Sequence, residues 1–174
     1  MRAVSSREVR QAREGSSMST ATFANKSAEP KPLFPALGRY YGFTADLAYL
    51  IVRVTAGLML LPHGWSKLVG PGVAGVSAMI SRYGIPEAHP LAFLIMWLET
   101  FGGVLIAIGL FTRPVAALLL AEFLVIIVAA HWSRGYFAGA GGIEFPLMWA
   151  LLLLAVLLRG GGPWSIDRKL GREV

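Results

Sequence analysis

Residues 91–111 read LAFLIMWLETFGGVLIAIGLF, a run whose single ionisable side chain is Glu99. A helix needs about 20 predominantly apolar residues to cross the hydrocarbon core of a bilayer. Three similar runs flank this one, over about Ala45–Leu61, Pro114–Trp132 and Ile143–Leu158. Pro114 opens its run at the first turn, where a missing backbone N–H costs nothing. No sustained two-residue alternation argues for strands. The fold class expected is therefore all-α, a four-helix transmembrane bundle. Between the first two runs, Val73–Tyr83 sets Val76, Met79, Ile80 and Tyr83 at helical spacing. That stretch is too short to cross and reads as an amphipathic helix at the interface.

Composition agrees. The chain has 174 residues, of which 55% are hydrophobic and 15% charged. Soluble domains carry about 25% charged residues, and ten of the 26 charges here lie in the first 40 positions. The remainder has too little polar surface to be a soluble enzyme. With no cysteine, the chain holds no thiol relay, cysteine-ligated zinc or iron–sulfur centre. The histidine spacing matches no metal motif, and the glycine runs follow no strand as a nucleotide site would require. The net charge of +6 is explained by the membrane rather than by a nucleic-acid partner. Residues 1–44 read as a polar, solvated tail, 45–160 as the membrane domain and 161–174 as a short terminal segment. Outside the spans, twelve Lys and Arg belong to the tail, the loop at Arg113 and the C-terminal segment. The opposite side has Lys67, Arg82 and Arg134. The positive-inside rule then places both termini in the cytoplasm.

Three charges sit inside the apolar runs. Arg53, Glu99 and Glu122 each cost about 2.5–3.5 kcal/mol at a helix centre on the lenient insertion scale. Counted at 1.5 Å per residue, they lie roughly 12, 16–18 and 12 Å from the cytoplasmic ends of their spans. Arg53 shares a face with Ala56 and Gly57, and Glu99 with Gly102 and Gly103, so both face the packed side. The expected arrangement pairs Arg53 with Glu99 and leaves Glu122 protonated or in a shared network. That arrangement serves as a structural clamp, as a proton or ligand site, or as a contact with a partner subunit. A second candidate cluster gathers His63, Lys67, His131 and Glu144 at the outer face, where an anionic or quinone-like head group would bind. No metal site is expected.

Several short motifs share one order and spacing. Arg53-Val-Thr-Ala-Gly57 precedes His63-Gly64-Trp-Ser-Lys67-Leu, and Gly84-Ile-Pro86 precedes the second span. Glu99-Thr-Phe-Gly-Gly103 is followed by Gly109-Leu-Phe-Thr-Arg113, and Gly162-Pro-Trp-Ser-Ile-Asp167 follows the last run. Together they resemble the DoxX family of small four-helix bacterial membrane proteins, over about Leu50–Asp167. The resemblance implies a multi-pass inner-membrane protein linked to quinone-dependent redox systems, as an accessory subunit rather than a self-sufficient enzyme. It singles out Arg53, His63, Lys67, Glu99 and Arg113, with Gly57, Gly64, Gly103, Gly109 and Asp167 as further motif positions. A bound quinone, partner subunits of a redox complex and a homo-oligomer are the implied associations. A small proton- or solute-handling transporter or channel, or a purely structural subunit, are the alternatives.

Overall fold

The computed structural model describes residues 34–86 and 88–172. Of the expected tail, residues 1–44, positions 1–33 lie outside the described residues, and helix begins within the rest, at Leu37. The chain divides into two units, Met1–Tyr41 and Gly42–Val174. Of the first, only the start of helix α1 is described.

Every regular element among the described residues is helical. Helix α1 runs Leu37–Val69, α2 Gly72–Ser81 and α3 Ala88–Trp97. A π turn at Leu98–Gly102 joins α3 to α4, Gly103–Ile108. Helix α5, Thr112–Ile126, ends in a second π turn at Ile127–His131. Helix α6 is Glu144–Arg159 and α7 is Ile166–Lys169. Three continuous helices are long and apolar enough to span a membrane: Leu37–Val69, Ala88–Ile108 and Thr112–Arg134. The fourth expected span is shorter. Helix α6 has 16 residues, roughly 24 Å at 1.5 Å per residue, because glycines at 141–142 and 160–162 bound it. It packs along α5 over an extensive contact.

The first span is longer than the sequence suggests. An end at Leu61 follows from the proline rule, yet α1 passes through Pro62 without stopping. A proline inside a membrane helix is tolerated where neighbouring groups meet the freed carbonyls. The consequence is functional, since His63 and Lys67 belong to the same helix as Arg53. Helix α2 confirms the short amphipathic segment. It buries Val76 and Ile80 against Ala92 and Met96 of α3.

Lipid tails give two apolar helices no hydrophobic reason to associate, so close packing and hydrogen bonds must hold this bundle. Glycine supplies the close packing. A Cβ on Gly57 would overlap the carbonyl of Gly103 and the backbone of Ala107. One on Gly64 would overlap Thr100 and the backbone of Glu99. Helix α1 therefore crosses the second span backbone against backbone. Ala56, Leu60, Ile106, Ala116, Leu119 and Leu153 fill the space around that crossing. Outward-facing Ile51, Phe93, Leu124, Val128, Leu151 and Leu158 are about half exposed or more, as a lipid-facing surface requires.

Candidate functional site

The polar residues separate into two groups at opposite ends of the bundle. At the first end, the turn Gly109–Phe111 reverses the chain between the second and third spans. Gly109 is left-handed at φ 71°, and so is Phe111 at φ 50°. A left-handed aromatic residue costs about 1–3 kcal/mol and needs support from its surroundings. The carboxylate of Asp167 supplies it. Asp167 accepts from Phe111 N at 2.8 Å, Thr112 N at 2.9 Å and the Thr112 hydroxyl at 2.7 Å. Burial pushes the Asp167 carboxyl up, but these bonds and the nearby Arg53 charge outweigh it and hold the group below the usual aspartate range.

Arg53, 1% exposed, belongs to this end. It donates to the carbonyl of Ile106 at 3.3 Å and to that of Trp164 at 2.9 Å. Arg113 donates to the carbonyls of Leu157 and Leu158 at 2.8 and 3.2 Å, meeting acceptors that the end of α6 leaves open. The hydroxyl of Tyr49 donates to the carbonyl of Gly160, and Arg159 lies over the Tyr49 ring at 4.4 Å. These contacts bind the middle of α1 and the ends of α4, α5 and α6 to the C-terminal segment. They act as a lock, and Asp167 and Arg159 also border a separate polar cavity of about 410 Å³ with Arg168 and Arg172.

The expected Arg53–Glu99 pair is not formed. Glu99, 3% exposed, is held instead by Lys67, whose ammonium contacts both carboxylate oxygens. The reason is the antiparallel register. With Gly57 against Gly103, Arg53 lies one turn to one side of the crossing and Glu99 one turn to the other. Eight residues of rise, roughly 12 Å, then separate them.

Glu122 completes the second group. It is 9% exposed, and neither carboxylate oxygen is met by a donor. Glu99 lies within hydrogen-bonding reach of it, and the Lys67 charge also acts on it. Two carboxyl groups can share a hydrogen bond only when one of them carries a proton. The structure therefore gathers Lys67, Glu99 and Glu122, formally two negative charges against one positive. Among the described residues no group of His, Asp and Glu could hold a metal ion.

Two of the trio, Lys67 and Glu122, border a cavity of about 420 Å³ between α2, α3 and α5. Lys67, Glu122 and His131 are its ionisable wall residues besides Tyr83, and the rest of the lining is largely apolar. Both π turns flank it, through Leu98 on one side and Ala129–His131 on the other. A π turn inserts an extra residue and re-aims the side chains around it, and such turns are frequent at functional sites.

The outer-face cluster is only partly assembled. His131 reaches the cavity wall, and its Nδ1 contacts the Gly141 carbonyl at 2.6 Å, which requires a proton on Nδ1. Lys67 turns inward to Glu99. Glu144 is occupied elsewhere, accepting from Ala138 N at 2.8 Å, and His63 is exposed. The cavity itself has no signal in the sequence beyond the amphipathic pattern of α2, because its walls come from three separated segments.

Comparison with known proteins agrees with this architecture. The DoxX family profile matches residues 48–132. The inner membrane protein YphA of Escherichia coli is 31% identical over 140 residues, covering 75% of this chain and 97% of that protein. "Uncharacterized membrane protein Rv3486" of Mycobacterium tuberculosis is 30% identical over 134 residues, 71% of this chain and 82% of that one. The Bacillus subtilis protein named "Putative oxidoreductase CatD" is 27% identical over 122 residues, 70% and 86% of the two chains. No solved structure matches. The Gly57–Gly103 crossing and the Arg113 and Asp167 contacts give a structural reason for motif positions within and beyond the matched region, and the chain is an integral membrane protein of the DoxX family.

Proposed function

We propose that this protein is an accessory subunit of a quinone-linked redox system in the bacterial inner membrane, with both termini cytoplasmic. The observation that carries the reading is the cavity between α2, α3 and α5. It is apolar enough to receive an isoprenoid tail and has one polar wall, formed by Lys67 and Glu122 with Glu99 behind them. Ligand sites commonly combine such an apolar chamber with a few convergent polar groups. The oxidoreductase in the name of the Bacillus subtilis relative supports the redox assignment. Without cysteine this chain supplies no thiolate ligand or thiol couple, and the reading assigns the electron carrier to a partner. Its own contribution is to seat the quinone and provide ionisable groups near it. A transporter would have to open at both ends, and the contacts among Tyr49, Arg53, Arg113 and Asp167 argue against opening at theirs.

The test is purification of the full chain from bacterial membranes in mild detergent, followed by identification of bound lipid-soluble molecules and proteins. The expected result is an isoprenoid quinone together with a flavin- or haem-bearing protein. Recovery of neither contradicts the reading.

A further inference from the structure

The proposed function leaves open how the chamber recognises its occupant, and Glu122 addresses that. Its carboxyl group is nine-tenths buried and borders the cavity; neither oxygen is met by a donor, and once protonated its O–H has the Glu99 carboxylate within reach as a competing acceptor. A buried polar group without a partner is costly unless something satisfies it. Lys67 is committed to Glu99 through both carboxylate oxygens, which leaves no cation dedicated to Glu122. The other ionisable residues of the cavity wall are His131 and Tyr83. Helix α6, packed along α5, has no ionisable residue between Glu144 and Arg159.

The lysine and Glu99 cancel, so a proton on Glu122 makes the chamber neutral. A neutral chamber suits an uncharged molecule arriving from the bilayer, because bringing an ion there carries a large desolvation cost. A protonated carboxyl group is a hydrogen-bond donor, and because Lys67 already meets both Glu99 oxygens, that O–H can turn from Glu99 to a ligand. Its complement is an acceptor, such as a carbonyl oxygen, at the head of an apolar molecule.

Resting on the quinone-subunit reading, we infer that the cavity binds an uncharged, carbonyl-headed amphiphile by a hydrogen bond from the protonated carboxyl of Glu122, so that binding is linked to one proton. The O–H of Glu122 donates to the ligand carbonyl, while the Lys67–Glu99 pair stays intact beneath it. The proton is retained on Glu122 in the complex, and no bond is broken.

The experiment measures binding of two probes to the purified full chain in detergent: a decyl-substituted benzoquinone and a long-chain methyl ketone with no redox chemistry. A one-proton linkage changes affinity by up to about tenfold per pH unit across the titration range. Both probes are expected to bind several-fold more tightly as pH falls from about 10 to about 7. Glu122→Gln, a permanently neutral donor, flattens the profile. Glu122→Leu weakens binding about tenfold or more at low pH, with a thermal midpoint measured beside it to confirm folding. Quinone binding that is independent of pH, or a slope that survives in Glu122→Gln and so belongs to His131, overturns the inference and leaves the quinone reading standing. Ketone binding with the expected profile but no quinone binding does the reverse. Binding of a decyltrimethylammonium ion that strengthens as pH rises, with neither neutral probe bound, overturns both.

Discussion

Lys67 and Asp167 each stabilise a buried structure through charge, with different consequences when altered. Removing one partner of a buried pair costs about 3–5 kcal/mol, because the other charge is left without compensation. Lys67→Met should therefore lower the thermal midpoint in detergent sharply. Adding Glu99→Gln should recover most of the loss, whereas adding Arg53→Met should not. Recovery with Arg53→Met instead would show that the arginine is the partner. Asp167→Asn should cost about 1–3 kcal/mol through its bonds to Phe111 and Thr112. The folded aspartate lies below its ordinary value. Its stabilisation is therefore complete above the unfolded value near 4 and is lost as pH falls through the lower folded value. Thermal midpoints measured across acid pH should show the wild-type advantage over Asp167→Asn shrinking below about pH 4. A constant gap would rule this out. The importance of Arg53, Glu99 and Glu122 was legible in the sequence, since a charge in an apolar run demands explanation. Their partners were not, because a pairing depends on the register of two helices.

That register is set at the element scale by glycine. The sequence shows Arg53 four residues before Gly57 and Glu99 four before Gly103, a symmetry that suggests a common depth. In an antiparallel pair the same offsets carry the charges to opposite sides of the crossing. Gly57→Leu places a side chain where the Gly103 carbonyl and Ala107 lie. Overpacking of this kind costs about 1–3 kcal/mol or more, and it should also separate Lys67 from Glu99. The coupling between Lys67→Met and Glu99→Gln, read as a double-mutant cycle on the thermal midpoint, should be present in the parent and lost in the Gly57→Leu variant. Unchanged coupling and thermal midpoint would mean that the helices do not touch there. Hydrophobic periodicity revealed the spans and α2 because lipid and interface impose it directly. Continuation through Pro62 escaped that reading, since local proline chemistry argues for a stop while packing by neighbours permits the helix. The two π turns have no sequence rule behind them at all.

For the whole molecule, the two groups of polar residues divide the labour. One end is tied by Arg53, Arg113, Tyr49 and Asp167, and the other holds a largely apolar cavity bordered by the Glu122 carboxyl group, whose oxygens no donor meets. The proposed orientation puts the tied end in the cytoplasm. A reporter active only in the periplasm should then be silent when fused after Val174 and active when inserted at Gly139. The opposite pattern would reverse the topology. The central claim is that the cavity is the binding chamber, and a variant that fills it tests this most directly. Ala129 borders the cavity and is exposed to it, so Ala129→Trp should occupy the space without disturbing the Lys67–Glu99 pair. Binding of the decyl-substituted benzoquinone should fall about tenfold or more in that variant, with an unchanged thermal midpoint. Equal binding in the parent and the filled variant would contradict the account.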